Sequence, residues 1–378
     1  MEISAEVQSL FDTLVVTRRA LHAMPELSEQ EFKTSDYIAA RLKALGIRFR
    51  RIHTGLVADV RGEESGHTVG YRADIDALPV TEKSGEPFAA AVNMHACGHD
   101  GHTAMLLAFA ELLTRCRPLY DTRLIFQFGE EGTGGAEKMI EAGALDGVDE
   151  IYAFHLCPEL DKGKLASADG PLFAGTVEFD VTFTGLAAHC AAREQGRDAL
   201  GAAVSFVSRL PEMNAGFSSN TLAHAGRLDA GTARNIVADR ALVECTYRFF
   251  DPAHMEAGMM NAERVLTDIT AATGVSHDLT VQSVYDPLIV DGRALRRLRE
   301  VVTVETCAPR FTSEDFSAYC KRVPGCLAWL GIRDAKYGAP LHSDTFGFDE
   351  QALLYGVETF YRLSRARNRF IGGGRGKP

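Results

Sequence analysis

Five side chains able to bind a divalent cation fall between Met94 and His102, read MHACGHDGH: His95, Cys97, His99, Asp100 and His102. Cys97 and His99 are soft or borderline donors suited to a transition ion, and Gly98 between them lets one loop present both. The run that follows, Thr103 to Leu113, is apolar and helical in character, so the donors sit at a helix N-terminus. The plain alternative is a polar turn whose histidines only cap that helix. So many ligand-type side chains in one turn argue against it.

Such a loop needs partners, and the sequence offers them where strands end. Thr68 to Ala73 reads as a buried strand running into Asp74-Ile75-Asp76-Ala77-Leu78-Pro79, and alternation puts Asp74 and Asp76 on one side. Thr122 to Phe128 is a β run followed by Gly129-Glu130-Glu131-Gly132, adjacent acids whose nearest compensating charge in sequence is Lys138. A third strand, Glu150 to Phe154, delivers His155 and then Pro158. Ligand sites in open α/β sheets gather at strand ends, and three successive ends here carry an acid or a donor. Upstream, apolar residues recur at helical spacing from Ala5 to His22. Ser28 with Glu31 resembles a capping box opening a helix that runs to Leu45 and stops at Gly46. Ile47 to Ile52 and Leu56 to Val60 read as strands.

Composition changes beyond Gly175. Thr176 to Thr184 alternates as a strand, Arg197 to Leu210 reads as a helix, and Thr221 to Leu228 and Asn235 to Phe250 as strands. A helix over Pro252 to Thr273 and a strand over His277 to Val284 follow. Strand, helix, strand, strand, helix, strand is the order of a ferredoxin-like α+β sandwich inserted in the chain. From Asp291 the first pattern resumes. It gives a helix to Thr306, an acidic turn Ser313-Glu314-Asp315, a strand Cys326 to Gly331, Leu341-His342-Ser343, and a closing helix from Asp349 to Arg365. The expected fold is α/β, a central mixed sheet with helices on both faces, with the ferredoxin-like unit inserted. Residues 1–175 and 289–378 form the discontinuous first domain and 176–288 the second, in keeping with a length of 378 residues.

A composition 46% hydrophobic and 24% charged is that of a soluble globular protein, and a net charge of -11 argues against a nucleic-acid partner. The basic tail from Arg362 to Lys377 reads as a solvated end. No apolar run reaches membrane-spanning length, and Met1 to Leu14 lacks the order of a signal peptide. The eight irregularly spaced cysteines then read as reduced core thiols of a cytoplasmic protein, with Cys97 the exception.

If the strand-end groups converge, Cys97, His99, Glu131, His155 and His342 form a mixed sulfur, nitrogen and oxygen set. That is too large for one tetrahedral structural zinc. Two divalent ions fit better, because together they lower the pKa of a shared water and polarise a carbonyl. Glu130 would then be the general base that takes the water's proton and passes it to a leaving amine.

MHACGHDGH, RADIDALP, the GEEG after a strand, HLCP around His155, SEDFSAY and LHSDTF together resemble the M20 metallopeptidase family, in its amidohydrolase branch of hippurate, N-acyl-amino-acid and indoleacetyl-amino-acid hydrolases. The resemblance runs from about Arg19 to Tyr361. It implies a zinc-peptidase-like catalytic domain binding two divalent ions, zinc or manganese, with an inserted lid that mediates homodimerisation. It assigns Cys97, His99, Glu131, His155 and His342 as metal ligands and Glu130 as base. Asp76 matches an acid that orients a metal-bound group. His189, in TGLAAHCAA, matches a histidine that holds the carbonyl oxygen as it becomes an oxyanion, often from the partner subunit. Asn235 after Arg234 matches a substrate contact, and Arg248 faces either a substrate carboxylate or solvent. Asp74 has a structural explanation in Arg72 or Arg19.

The sequence departs from many members of the branch after His189, where Cys190-Ala191-Ala192-Arg193-Glu194-Gln195 replaces a small residue and Pro-His. With AGRLDAGTARNIV, this piece is closer to the p-aminobenzoyl-glutamate hydrolase type. Arg193, Arg197 and Arg234 could pair with a substrate carboxylate. The expected activity is hydrolysis of the amide of an N-acyl or N-aroyl amino acid. A dipeptidase or an aromatic-amine deaminase on the same site is the alternative, followed by a non-catalytic metal-binding scaffold.

Overall fold

The computed structural model describes residues 1–132, 134–217 and 219–368, so the tail beyond Asn368 lies outside the described residues. The chain divides into two compact units: 1–170, 289–308 and 315–378 in the first, 171–288 and 309–314 in the second. The first unit is built on an eight-stranded mixed sheet. Its spatial order is Phe49–Ile52, Gly55–Val60, Tyr120–Gln127, Glu64–Asp74, Glu150–Asp161, Gly325–Arg333, Leu165–Ser167 and Glu305–Thr306. The four central strands run parallel. Gly325–Arg333 and most of Glu150–Asp161 are continuously buried and largely apolar, whereas Glu64–Asp74 and Tyr120–Gln127 are continuously buried only toward their C-terminal ends. Parallel strands share one C-terminal edge, and that is where the acids and histidines collect.

The helix that carries the opening motif, His99–Arg115, is buried along almost its whole length. It packs against helices Phe11–His22 and Gln351–Arg365 and against the Glu64–Asp74 strand. Two glycines let it approach. A Cβ on Gly98, whose φ is +86°, would lie 2.8 Å from Leu156 Cδ1, and one on Gly101 would lie 2.9 Å from Phe348 Cζ. Gly98 also takes a left-handed conformation that costs an L side chain about 1–2 kcal/mol.

The second unit is a four-stranded antiparallel sheet in the order Ser276–Tyr285, Gly175–Thr184, Arg240–Phe249, Thr221–Ala230. This is the ferredoxin-like order, with helices Ala199–Arg209 and Pro252–Thr273 on one face. Strand Arg240–Phe249 alternates buried with partly exposed residues along nearly its whole length, a period of two. Val177, Phe179, Val181 and Phe183 interlock with Phe206, Val265, Leu266 and Ile269 to make a core of its own.

Several boundaries differ from the sequence reading. Residues 171–175 and 309–314 join the second unit because Ala174 N–H donates to Arg310 and Thr312 carbonyls. Ser313 also meets Thr176 at 2.5 Å. The third central strand extends to Asp161, so His155 lies inside it rather than past its end. The helix expected to reach Thr306 stops at Val301, and Glu305–Thr306 forms a short edge strand. Ser28 and Glu31 do not make a capping box. The next helix starts at Phe32 with no side-chain cap, because both side chains are engaged elsewhere.

Candidate metal centre

Cys97 and His99 enter the site from the left-handed turn at Gly98 and the first turn of the helix it opens. Glu131 follows the Tyr120–Gln127 strand across a turn with Gly129 at φ +67°. His155 comes from the middle of its strand. His342 comes from a loop in which its own backbone is left-handed at φ +65°, held by its N–H donating to Ala96 O at 2.8 Å. A non-glycine residue in that region marks a position the surroundings over-determine.

These side chains converge. Cys97 Sγ is 3.4 Å from His155 Nε2 and 3.3 Å from His342 Nε2. His342 Nε2 is 3.2 Å from Glu131 Oε1, and His99 Nε2 is 3.9 Å from the same oxygen. Glu130 Oε2 lies 4.0 Å from His99 Nε2. Donor atoms of Cys97, His99 and His155 all lie within 4.8 Å of one another, as do those of Cys97, Glu131 and His342 and those of His99, Glu130 and Glu131. Cys97, His99 and Glu131 each belong to two of these three groups, which suits two neighbouring ions.

The surrounding bonds fix which atoms face inward. His99 Nδ1 is 3.1 Å from both Asp76 Oδ1 and the Asp76 carbonyl, so Nδ1 donates and Nε2 points into the cluster. His99 Nε2 and Glu131 Oε1 are buried with no hydrogen-bond partner of good geometry. Unpaired buried polar atoms are costly, and here they aim at one place. Asp76, fully buried, also accepts the Ser28 hydroxyl at 2.7 Å and the Glu131 N–H at 2.9 Å through Oδ2. Burial pushes the Asp76 carboxyl up, but these bonds and the His99 imidazole outweigh it and hold it below its usual range.

Charge gives the same answer. Burial opposes it, yet Asp74, Asp76 and Glu131 push the His99 imidazole up to about 10. Burial, with Glu131, Glu130 and Asp74 adding, pushes the Cys97 thiol well above its ordinary range. A pocket that draws a proton onto histidine and refuses a thiolate lacks positive charge. The residues present therefore fit divalent ions, which displace that proton and stabilise the thiolate. Burial keeps His155 neutral, well below the usual imidazole value, which leaves it ready to ligate.

The remaining motif residues stand apart. His95 is buried with both ring nitrogens unpartnered, and burial lowers it to about 4. Asp100 accepts from Arg18 Nε at 2.7 Å and lies 2.8 Å from His22 Nδ1. Asp74 is held by Arg72 Nη1 at 2.6 Å, while Arg19 pairs instead with Glu350. Lys138, the nearest cation following Glu130 and Glu131 in sequence, pairs with Glu29. Glu31 differs from its expected capping role: it accepts the Gly129 N–H at 2.9 Å and so braces the turn before Glu130.

His189, Arg234, Asn235 and Arg248 lie in the second unit. Residues 188–190 pair with 235–237: Cys190 N–H donates to Asn235 O at 2.9 Å, and Val237 N–H to Ala188 O at 2.8 Å. His189 and Asn235 are thereby neighbours, and both are exposed, as is Arg234. His189 Nδ1 accepts the Ala191 N–H at 3.1 Å, which leaves Nε2 as the position that carries a proton. Arg248 binds Thr176 Oγ1 at 2.6 Å, Ser313 Oγ at 2.8 Å and Glu178 at 3.2 Å. Its fork is therefore engaged within the unit, rather than turned to solvent.

The family model described as peptidase family M20/M25/M40 matches residues 70–366. The chain is 33% identical over 367 residues to the N-acetyldiaminopimelate deacetylase of Lactococcus lactis subsp. cremoris (strain SK11), covering 91% of this chain and 96% of that protein. It is 34% identical over 373 residues to the N-acetyl-L-cysteine deacetylase of Bacillus subtilis (strain 168), covering 95% and 89%. Among solved structures, a Bacillus subtilis dinuclear metal binding peptidase from the M20 family matches with a TM-score of 0.85 at 31% identity, over 94% of this chain and 98% of that one. The aminobenzoyl-glutamate utilization protein from Klebsiella pneumoniae matches with a TM-score of 0.68 at 23% identity, over 96% and 98%, a likeness of fold.

Proposed function

The chain belongs to peptidase family M20/M25/M40, and we propose that it hydrolyses the amide bond of N-acyl or N-aroyl amino acids with two divalent ions, zinc or manganese. It is a metal-dependent amidohydrolase. The observation that carries the reading is the convergence of Cys97, His99, Glu131, His155 and His342, with the buried His99 Nε2 left without a hydrogen-bond partner and Glu130 alongside. Those five residues hold the ions. Bound divalent ions supply Lewis acidity and lower the pKa of water.

Glu130 accepts the proton of the attacking water and returns it to the departing amine. Asp76 keeps His99 in the tautomer that ligates and fixes the Glu131 backbone through one carboxylate. His189 acts as an Nε2–H donor to the carbonyl oxygen as charge develops on it, because Ala191 occupies its Nδ1. Asn235, adjacent to His189, and Arg234 contact the substrate. Arg248, engaged with Thr176, Ser313 and Glu178, braces the same unit.

N-acetyl amino acids are the first substrates to test, since two relatives are named as deacetylases of N-acetyldiaminopimelate and N-acetyl-L-cysteine. The protein, which has no helix long and apolar enough to cross a membrane among its described residues, is proposed to work in the cytoplasm as a homodimer joined through its second unit. There, edge strand Thr221–Ala230 exposes Leu222 and Leu228, and the neighbouring helix exposes Leu200 and Val204. The test is to strip the protein of metal, reload it with zinc or manganese, and assay released amine from N-acetyl, N-aroyl and dipeptide substrates. Amine release from acylated amino acids is expected. Cleavage confined to dipeptides with a free amino terminus, or no cleavage with either metal, would overturn the reading.

A further inference from the structure

His102 lies in the same motif as Cys97 and His99, is buried to within 2%, and has its ring 4.9 Å from that of His155. With Asp74 and His99 it also forms a tight group of donor atoms, so proximity alone would admit it as a ligand. Its bonds exclude that. The Leu156 N–H can only donate, and it reaches His102 Nε2 at 3.0 Å. Nε2 is therefore an acceptor, the proton is on Nδ1, and Nδ1 donates to Asp74 Oδ1 at 2.6 Å. Both nitrogens are spent, and neither offers a lone pair to an ion.

Leu156, whose N–H His102 accepts, also sets His155 through its carbonyl. His155 Nδ1 lies 2.9 Å from the carbonyl oxygen of Leu156, an acceptor, so Nδ1 carries the proton. Nε2 is left with its lone pair, 3.4 Å from Cys97 Sγ. Asp74 is itself fixed by Arg72 Nη1 at 2.6 Å, and Arg72 is fixed by Asp315 at 2.9 Å and Gln127 at 2.9 Å. We propose that His102 is a positioning residue: held by Asp74 in its Nδ1–H form, it fixes the peptide N–H of Leu156, and so aims the Nε2 of His155 at the ion shared with Cys97. The chain runs Asp74, His102, Leu156 backbone, His155. It links the helix that follows Cys97 to the strand that carries His155 without any direct bond between the His102 and His155 rings.

The inference rests on His155 being a metal ligand, and its test separates the two claims. Metal-free full-length protein is titrated with zinc against a competing chelator for wild type, His155→Ala, His102→Gln, Asp74→Asn and Thr103→Val, each shown folded by circular dichroism. Thr103→Val removes a neighbouring buried bond to the Asp74 carbonyl, 2.9 Å long, that is outside the chain. It controls for general loosening. Asp74→Asn keeps its oxygen toward Arg72 and turns its amide to His102, which inverts the ring's tautomer and sets an Nε2–H against the Leu156 N–H.

His102→Gln is expected to weaken one of the two zinc equivalents by about 10- to 100-fold, the range for groups that orient a ligand from behind. Asp74→Asn should do the same, and it carries the test if His102→Gln does not fold. Thr103→Val should leave both affinities within twofold. In the cobalt-loaded protein, His102→Gln should change the visible spectrum in the same sense as His155→Ala. Affinity within twofold of wild type for His102→Gln and Asp74→Asn, or an equal loss in Thr103→Val, overturns the proposal. Unchanged zinc binding by His155→Ala would instead remove His155 from the ligand set.

Discussion

Glu31 is the sharpest place to perturb the site without touching a ligand. Its buried carboxylate accepts Thr54 Oγ1 at 2.6 Å on one oxygen, and the N–H groups of Glu29 and Gly129, each at 2.9 Å, on the other. Glu31→Ala strands the buried Gly129 N–H at a cost of about 1–3 kcal/mol. Thr54 keeps an alternative in His53 Nδ1 at 3.2 Å, so its loss is smaller. The lost contacts add about 1 kcal/mol, for a total of about 2–4 kcal/mol.

Glu31→Gln behaves differently. Its oxygen can retain both N–H donors, and its amide can donate to Thr54, so the cost should stay below about 1 kcal/mol. Burial, opposed by the Thr54 bond, raises the Glu31 carboxyl above its usual value. A raised acid penalises the folded state above its pKa and is relieved as pH falls through it, so wild type should gain on Glu31→Gln on acidification. The assay is urea unfolding followed by fluorescence of Trp329, the sole tryptophan, which lies in the central sheet with its ring 5.2 Å from that of His155. Equal losses in the two variants, or an alanine cost below about 1 kcal/mol, would refute the bracing role.

Two further outcomes follow from the same region. Gly98→Ala should cost about 1–2 kcal/mol from its left-handed φ and lower the zinc content at limiting metal, because the turn presenting Cys97 and His99 cannot relax past Leu156. Elemental analysis and thermal melting read both, and unchanged metal content would count against it. For His22, burial lowers the imidazole pKa, but Asp100 and Glu82 outweigh burial and raise it. The stability this contributes is present below the usual imidazole value of about 6.5 and lost as pH rises through the raised one. The melting-point advantage of wild type over His22→Gln should therefore shrink with rising pH above that range, and a growing advantage would contradict it.

What the sequence discloses and what it hides divide along physical lines. Donor chemistry is local, so residue type marked Cys97, His99, Glu131, His155 and His342 as candidate donors, and the resemblance to the family selected them as the set. The ferredoxin-like order was legible because strands such as Arg240–Phe249 alternate with a period of two. Ser28 and Glu31 were opaque: their spacing matches a capping box, and their true partners, Asp76 and Gly129, lie 48 and 98 residues away. His102 could not be told from His99, since the difference is a backbone N–H at Leu156 that leaves no mark on residue type. The transfer of 309–314 to the second unit was hidden for the same reason, being made partly of main-chain bonds to Ala174.

The central claim is that Glu130 turns a metal-binding cluster into a hydrolase. Glu130→Gln removes a proton acceptor while keeping shape and leaving Cys97, His99, Glu131, His155 and His342 in place. Zinc stoichiometry and turnover of an N-acetyl amino acid, measured on the same preparation, decide it. The account predicts two equivalents of zinc, as in wild type, with kcat lowered by about 100-fold or more. Full zinc occupancy with wild-type turnover would contradict it.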